Sequence, residues 1–259
     1  MYKGFNLDIK GINYSEYIEY GKTIHAHNKI MVENELASFK DSEGNLIASK
    51  IIAGWFPSIK ADVFLSHSHK DADQIIGLSG WLNKKFGLIP FADSCIWGFS
   101  DDLLRMMDDE YCYSQARDTY SYQKRNRSTS HVYMMMSTAL AKMINNCECI
   151  IFVNTPCSIS PKKYIKDGDT TDSPWIYSEL ALTSLVQRRS SEEHRVETIK
   201  SRVTLDSISK SIPIKYDVDL THLTELTVTH LNKWDKINNE FGPRALDSLY
   251  ELTSKVIFE

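Results

Sequence analysis

Ala61-Asp62-Val63-Phe64-Leu65-Ser66-His67-Ser68-His69-Lys70-Asp71 opens on a short apolar run, Val63 to Leu65, and breaks abruptly into small, polar and ionisable residues. A helix-period pattern follows at once, with Ile75, Ser79, Leu82 and Phe86 on one face and Gly87 ending it. A buried parallel strand reads this way when its carboxyl end opens into a crevice before the next helix. Downstream, Leu88-Ile89-Pro90-Phe91 is a second apolar run, closing on Ala92-Asp93-Ser94. Cys149-Ile150-Ile151-Phe152-Val153 is a third, breaking at Asn154-Thr155-Pro156. Between them lies a polar stretch over about 97–130, then a helical stripe of Val132, Met135, Met136, Ala139, Leu140 and Met143, which predicts core packing. Ile212-Pro213-Ile214-Lys215-Tyr216 reads as a fourth strand, its proline favouring a strand start or a sheet edge. Strands alternating with helices predict an α/β fold, a parallel sheet covered by helices on both faces.

Two flanking segments bracket this core. Residues 1–58 form an N-terminal extension in which Phe5 to Ile9 alternates like a half-buried strand. Asn13 or Ser15 then caps a helix carrying Tyr17, Gly21, Ile24 and Met31. His25 and His27, two apart, face different sides of that helix and read as surface residues. Residues 220–259 read as a pair of helices, the first with Leu223, Leu226, Leu231 and Trp234. Gly242-Pro243 turns the chain, and Leu246, Leu249, Leu252 and Val256 stripe the second.

The composition, 42% hydrophobic and 25% charged over 259 residues, is that of an ordinary globular protein. With 30 basic against 34 acidic residues, no basic excess points to nucleic acid. No apolar run approaches the ~20 residues that cross a bilayer, and the opening residues lack the apolar core of a signal peptide. The expectation is a cytoplasmic protein with reduced cysteines and no membrane partner. Cys147-Glu148-Cys149 is too tightly spaced for a zinc ribbon.

In an open parallel sheet the strand-to-helix loops gather at one edge, where ligands bind. That edge should collect Ser66, His67, Ser68 and His69 from the first strand, Asp93 and Ser94 from the second, and Asn154 and Thr155 from the third. Ser128-Thr129-Ser130 and Ser173 read as helix caps there, with Pro174 at a first helical position, and such helix starts suit phosphate. Trp175 and Glu179, four apart, share one helix face in adjacent turns. A carboxylate beside an aromatic wall can hold sugar hydroxyls and stabilise a developing oxocarbenium ion. A core Trp with a surface Glu has the same spacing.

Three of these stretches, in this order, resemble a TIR (Toll/interleukin-1 receptor) domain. Asp62 to Asp71 is similar to its first strand, Gly87-Leu88-Ile89-Pro90-Phe91-Ala92-Asp93 to its second strand and BB loop, and Trp175-Ile176-Tyr177-Ser178-Glu179 to its catalytic helix. The resemblance spans about 59–219 and implies a flavodoxin-like fold. In enzymatic members it implies cleavage of the nicotinamide–ribose bond of NAD+, which is substrate and not cofactor, with no metal. Glu179 would be the catalytic carboxylate and Trp175 a wall of the ribose site, with His67 and Asp93 at the nicotinamide end. The chain most resembles bacterial TIR proteins of antiphage defence, including the Thoeris type. These make a cyclic ADP-ribose or an ADP-ribose conjugate that activates a downstream effector. Self-association is implied too, because such sites are often completed across a subunit contact. The 97–130 insertion departs from compact members and supplies Arg105, Arg117, Arg125 and Arg127, which with Ser128 are candidate diphosphate contacts or merely solvated charge. Two rivals stand beside this reading. One is a non-catalytic TIR scaffold. The other is a metallohydrolase using His67-Ser68-His69-Lys70-Asp71 as an H-x-H-x-D motif.

Overall fold

The computed structural model describes residues 1–28, 36–92, 100–161, 169–171, 173–195 and 216–254. Five strands form one wholly parallel sheet: β1 (Lys3–Asp8), β2 (Val63–Ser66), β3 (Pro90–Phe91), β6 (Cys149–Asn154) and β10 (Thr224–Leu226). Their spatial order is β10-β1-β6-β2-β3. Two small antiparallel sheets lie outside it. One is the hairpin of β4 (Tyr113–Ser114) with β5 (Thr119–Tyr120); the other joins β7 (Ser160–Pro161), β8 (Asp169–Thr171) and β9 (Tyr216–Val218).

Helices cover both faces, and the alternation of side chains along each strand decides which. Val63 and Leu65 point with Cys149, Ile151 and Val153 into a cluster beneath α3 (Ala72–Phe86), α8 (Val228–Ile237) and α9 (Ala245–Ser254). Phe64 and Ile150 point the other way, beneath α2 (Ala48–Trp55), α4 (Ser100–Tyr111) and α5 (Tyr122–Asn146). On that second face Phe152 meets Ile176 and Leu180 of α6 (Pro174–Leu185), which leads to the short α7 (Ser191–Arg195). The architecture is α/β, as the alternation of runs predicts, and consistent with a flavodoxin-like fold.

The core motifs form as their residues dictate. Ile75, Ser79, Leu82 and Phe86 are all buried on α3, and Gly87 closes the helix in the left-handed region at φ 67°. A Cβ there would also stand 2.1 Å from the Phe241 ring. Ser173 caps α6 by accepting from Ile176 N at 3.3 Å, with Pro174 at the first turn. The methionine stripe of α5 is core: Val132 and Met143 are fully buried.

Other expectations are corrected. Two of the central strands, β1 and β10, come one from each terminal segment, so these segments are built into the sheet rather than appended to it. Residues 212–215 lie outside the described residues, and Tyr216 begins β9 in a small antiparallel sheet. Leu226, expected on a helix, is the buried end of β10; α8 starts only at Val228. Helix α1 (Ile18–Asn28) forms as expected, antiparallel to α3, with Gly21 so close that a Cβ would lie 2.0 Å from the Ile76 carbonyl oxygen. Met31 and Val256 lie outside the described residues. The polar stretch at 97–130 is not a loop from residue 100 on: it folds as α4, the β4–β5 hairpin and the first turns of α5, which Ser121 caps. Ser128-Thr129-Ser130 therefore sit inside a helix and cap nothing. The reason is Leu103 and Met107, two apolar residues one turn apart that bury α4 against the core despite its charge.

Candidate functional site

Chain direction places the site. From β2 the chain passes through α3 to β3 on one side, then through α4 and α5 to β6 on the other. The carboxyl ends of β2 and β6 therefore flank the point where strand order reverses, where a doubly wound sheet opens a crevice. Ser66 ends β2 and Asn154 ends β6.

Helix α6 runs antiparallel to the strands: Arg189, just beyond its end, donates its backbone N–H to the Met1 carbonyl at 3.1 Å, near the start of β1. Its amino end thus lies at the crevice edge. Glu179 is 3% exposed, and its Oε2 accepts a hydrogen bond from the Ser66 hydroxyl. One turn earlier, half-buried Trp175 lies 5.4 Å from the Tyr133 ring of α5, the planes inclined at 43°. The Glu is therefore no surface residue. Spacing had left that alternative open, and burial removes it.

His67 is buried just past β2, its Nδ1 2.9 Å from the Leu65 carbonyl. A carbonyl only accepts, so Nδ1 carries the proton. Buried Ser68 accepts from Lys70 N at 3.4 Å and starts the turn His69–Asp71 that leads into α3. Thr155 donates its hydroxyl to Asp71 at 2.6 Å, tying the start of α3 to the end of β6 across the crevice. Beside half-buried Asn154 a cavity of about 390 Å³ opens towards β1 and β10, walled also by Asn6, Asp8, Asp169 and Glu225. Asp93 and Ser94 lie outside the described residues.

Of the proposed diphosphate contacts, Arg125 Nε donates to Asp108 at 2.8 Å, and the Ser128 hydroxyl donates to the same carboxylate. Both are committed to clamping α5 onto α4. Arg127 is exposed on α5. The metal motif does not converge either. The His67 and His69 rings are 6.1 Å apart, and Asp71 is held by Thr155. Among the described residues no three His, Cys, Asp or Glu side chains are grouped to hold a metal ion.

Two contributors escape the sequence reading. Tyr133 sits off the apolar stripe of α5, so periodicity passes over it. His25, expected on the surface, is 5% exposed, and among the described residues neither ring nitrogen has a partner. Antiparallel packing on α3 carries it towards the start of that helix; the side chain of His27 lies outside those described. Burial, and then the neighbouring His67, push the His25 imidazole down from 6.5 to about 4. The unfolded chain then takes up a proton that the folded one refuses. The protonation of His25 thus has no effect on stability above pH 6.5 and lowers it as pH falls from there towards 4, by about 3 kcal/mol in all. Denaturant melts at pH 7.5 and pH 4.5 should show a smaller acid loss in His25→Leu than in wild type; identical losses would refute this account.

No family model, curated protein or solved structure matches the chain. Among the described residues no helix is long and apolar enough to cross a membrane.

Proposed function

We propose that this chain is a TIR-type NAD+ glycohydrolase or cyclase of antiphage defence. The observation that carries the reading is the position of Glu179: a carboxylate buried against Ser66 at the strand-order reversal, one helical turn from Trp175. NAD+ binds along the carboxyl edge of the sheet with its nicotinamide ribose against Trp175 and Glu179. The glutamate holds the ribose hydroxyls and stabilises the oxocarbenium ion as the C1′–N bond breaks. The bonding electron pair leaves with nicotinamide, which departs neutral. Water, an adenine nitrogen or another small nucleophile captures the cation and loses its proton to solvent. The product, ADP-ribose, a cyclic isomer or a conjugate, is the signal that a downstream effector reads.

A second reading, an assembly scaffold without chemistry, draws on the same burial, since a carboxylate 3% exposed is shielded from solvent when the site is empty. The two separate on incubation of the protein with NAD+, following nicotinamide by chromatography and the products by mass spectrometry. The enzyme reading expects nicotinamide release with an ADP-ribose-derived product. No release over a concentration series that includes self-associated protein leaves the scaffold.

A further inference from the structure

Helix α5 is longer than the sheet it covers. It runs 25 residues, against 6 in β6, the strand that follows it and returns alongside it. That makes the helix about 37 Å long and the strand about 20 Å. Tyr133 stands about 20 Å from the Asn146 end of the helix, level with the carboxyl end of β6, where its ring lies 5.4 Å from Trp175. The turns before Tyr133 therefore overhang the crevice and rise about 16 Å further to Tyr122.

Tyr122, Asn126, Thr129 and Tyr133 are spaced by four, three and four residues, so the face that meets Trp175 continues up the overhang as one stripe. Tyr122 is 64% exposed, Asn126 is exposed and Thr129 is half-buried. The stripe carries no charge; it offers rings, hydroxyls and an amide. Arg127 follows Asn126, is exposed, and among the described residues pairs with no carboxylate. The same turns hold the partly positive end of the helix. The other way out of the crevice is the cavity beside Asn154. There Asp8, Asp169 and Glu225 stand against Lys10 alone, and Lys10 is already 3.9 Å from Asp8. Such a wall repels a diphosphate, whereas the overhang attracts one.

We propose that the adenosine diphosphate half of the dinucleotide runs up this stripe, away from the acidic cavity, with its diphosphate beside Asn126 and Arg127 and its adenine stacked on the Tyr122 ring. The rise from Tyr133 to Tyr122 is about the reach of an extended dinucleotide from its nicotinamide ribose to its adenine. The inference rests on the NAD+ reading and adds to it the direction in which the substrate lies.

Calorimetric titration of the full chain with ADP-ribose, which needs no turnover, is the first arm of the test, and ribose 5-phosphate is the comparison. ADP-ribose should bind at least ~10-fold more tightly than ribose 5-phosphate, which lacks the adenosine. Tyr122→Ala should weaken ADP-ribose at least ~5-fold, and Tyr122→Phe should keep it, because stacking needs the ring and not the hydroxyl. Nicotinamide release is the second arm. Tyr122→Ala should raise the KM for NAD+ at least ~5-fold, the loss falling on KM rather than on kcat. NAD+ turnover with an unchanged KM in Tyr122→Ala overturns the proposal and leaves the NAD+ reading intact. ADP-ribose affinity that follows the Tyr122 variants without any nicotinamide release upholds the surface and removes the cleavage. Wild type that binds no ADP-ribose, or Tyr122→Ala that binds it as tightly as wild type, overturns the proposal.

Discussion

On the proposed NAD+ chemistry, Glu179→Gln should lower NAD+ turnover at least ~100-fold with the protein still folded. Glutamine keeps the length and the acceptor oxygen, so the Ser66 hydroxyl retains its partner and α6 its seat on the sheet. What would disappear is the negative charge that the proposed reaction sets against the ribose as positive charge develops there. Inside a buried site that charge is poorly screened, and this is why its loss outweighs the small change in shape. Two measurements belong together: nicotinamide release under saturating NAD+, and the melting temperature. Near-normal turnover with an unchanged melting temperature ends the assignment of Glu179. A collapse in both would instead make the residue a structural one, held in place for Ser66.

Trp234→Ala should cost about 3–5 kcal/mol and lower the melting temperature by on the order of 10 °C. The indole is fully buried and stacks on Phe86 of α3, with ring centroids 3.8 Å apart and planes 6° apart. Its edge meets Trp81 at 5.9 Å, and its Nε1 donates to the Ala245 carbonyl at 2.9 Å. Truncation removes these contacts together and opens a cavity in an apolar cluster, while the Ala245 carbonyl keeps the Ser248 hydroxyl at 3.0 Å, so the loss is chiefly one of packing. The shape of the transition carries as much information as its midpoint. Because α8 and α9 share one core with α3 and the sheet, calorimetry should record a single cooperative transition, displaced downward. A separate early transition, with the main one unmoved, would show the C-terminal segment melting alone.

The legible features are local ones. The run from Val63 to Ser66, the α3 stripe with its terminal glycine, the α5 methionines and the Ser173-Pro174 helix start all form where the pattern puts them. Each depends on neighbours in the chain: side-chain period, cap chemistry, or the left-handed backbone that glycine tolerates. Placing Ser66, His67, Ser68, Asn154 and Thr155 at one sheet edge follows too, because parallel strands leave no other place for their carboxyl ends. His25 and the α4 segment escape that logic. One polar residue on a helix and one charged helix both read as solvent-facing until a neighbouring element covers them.

By itself, then, the sequence determined the α/β class, the strand character of four of the five central strands, though not the place of β1 in the sheet, and the helix on which Glu179 and Trp175 share a face. Only the tertiary structure decided which strands stand beside which, so that the chain's first strand fills the place between β6 and β10. It alone buried His25, turned Arg125 and Ser128 onto Asp108, and brought Ser66 to Glu179 across 113 residues of chain. The physical reason is range. Backbone period and capping act over a few residues and are written in order, whereas strand pairing and burial join residues far apart, through surfaces that exist only once the chain has closed on itself.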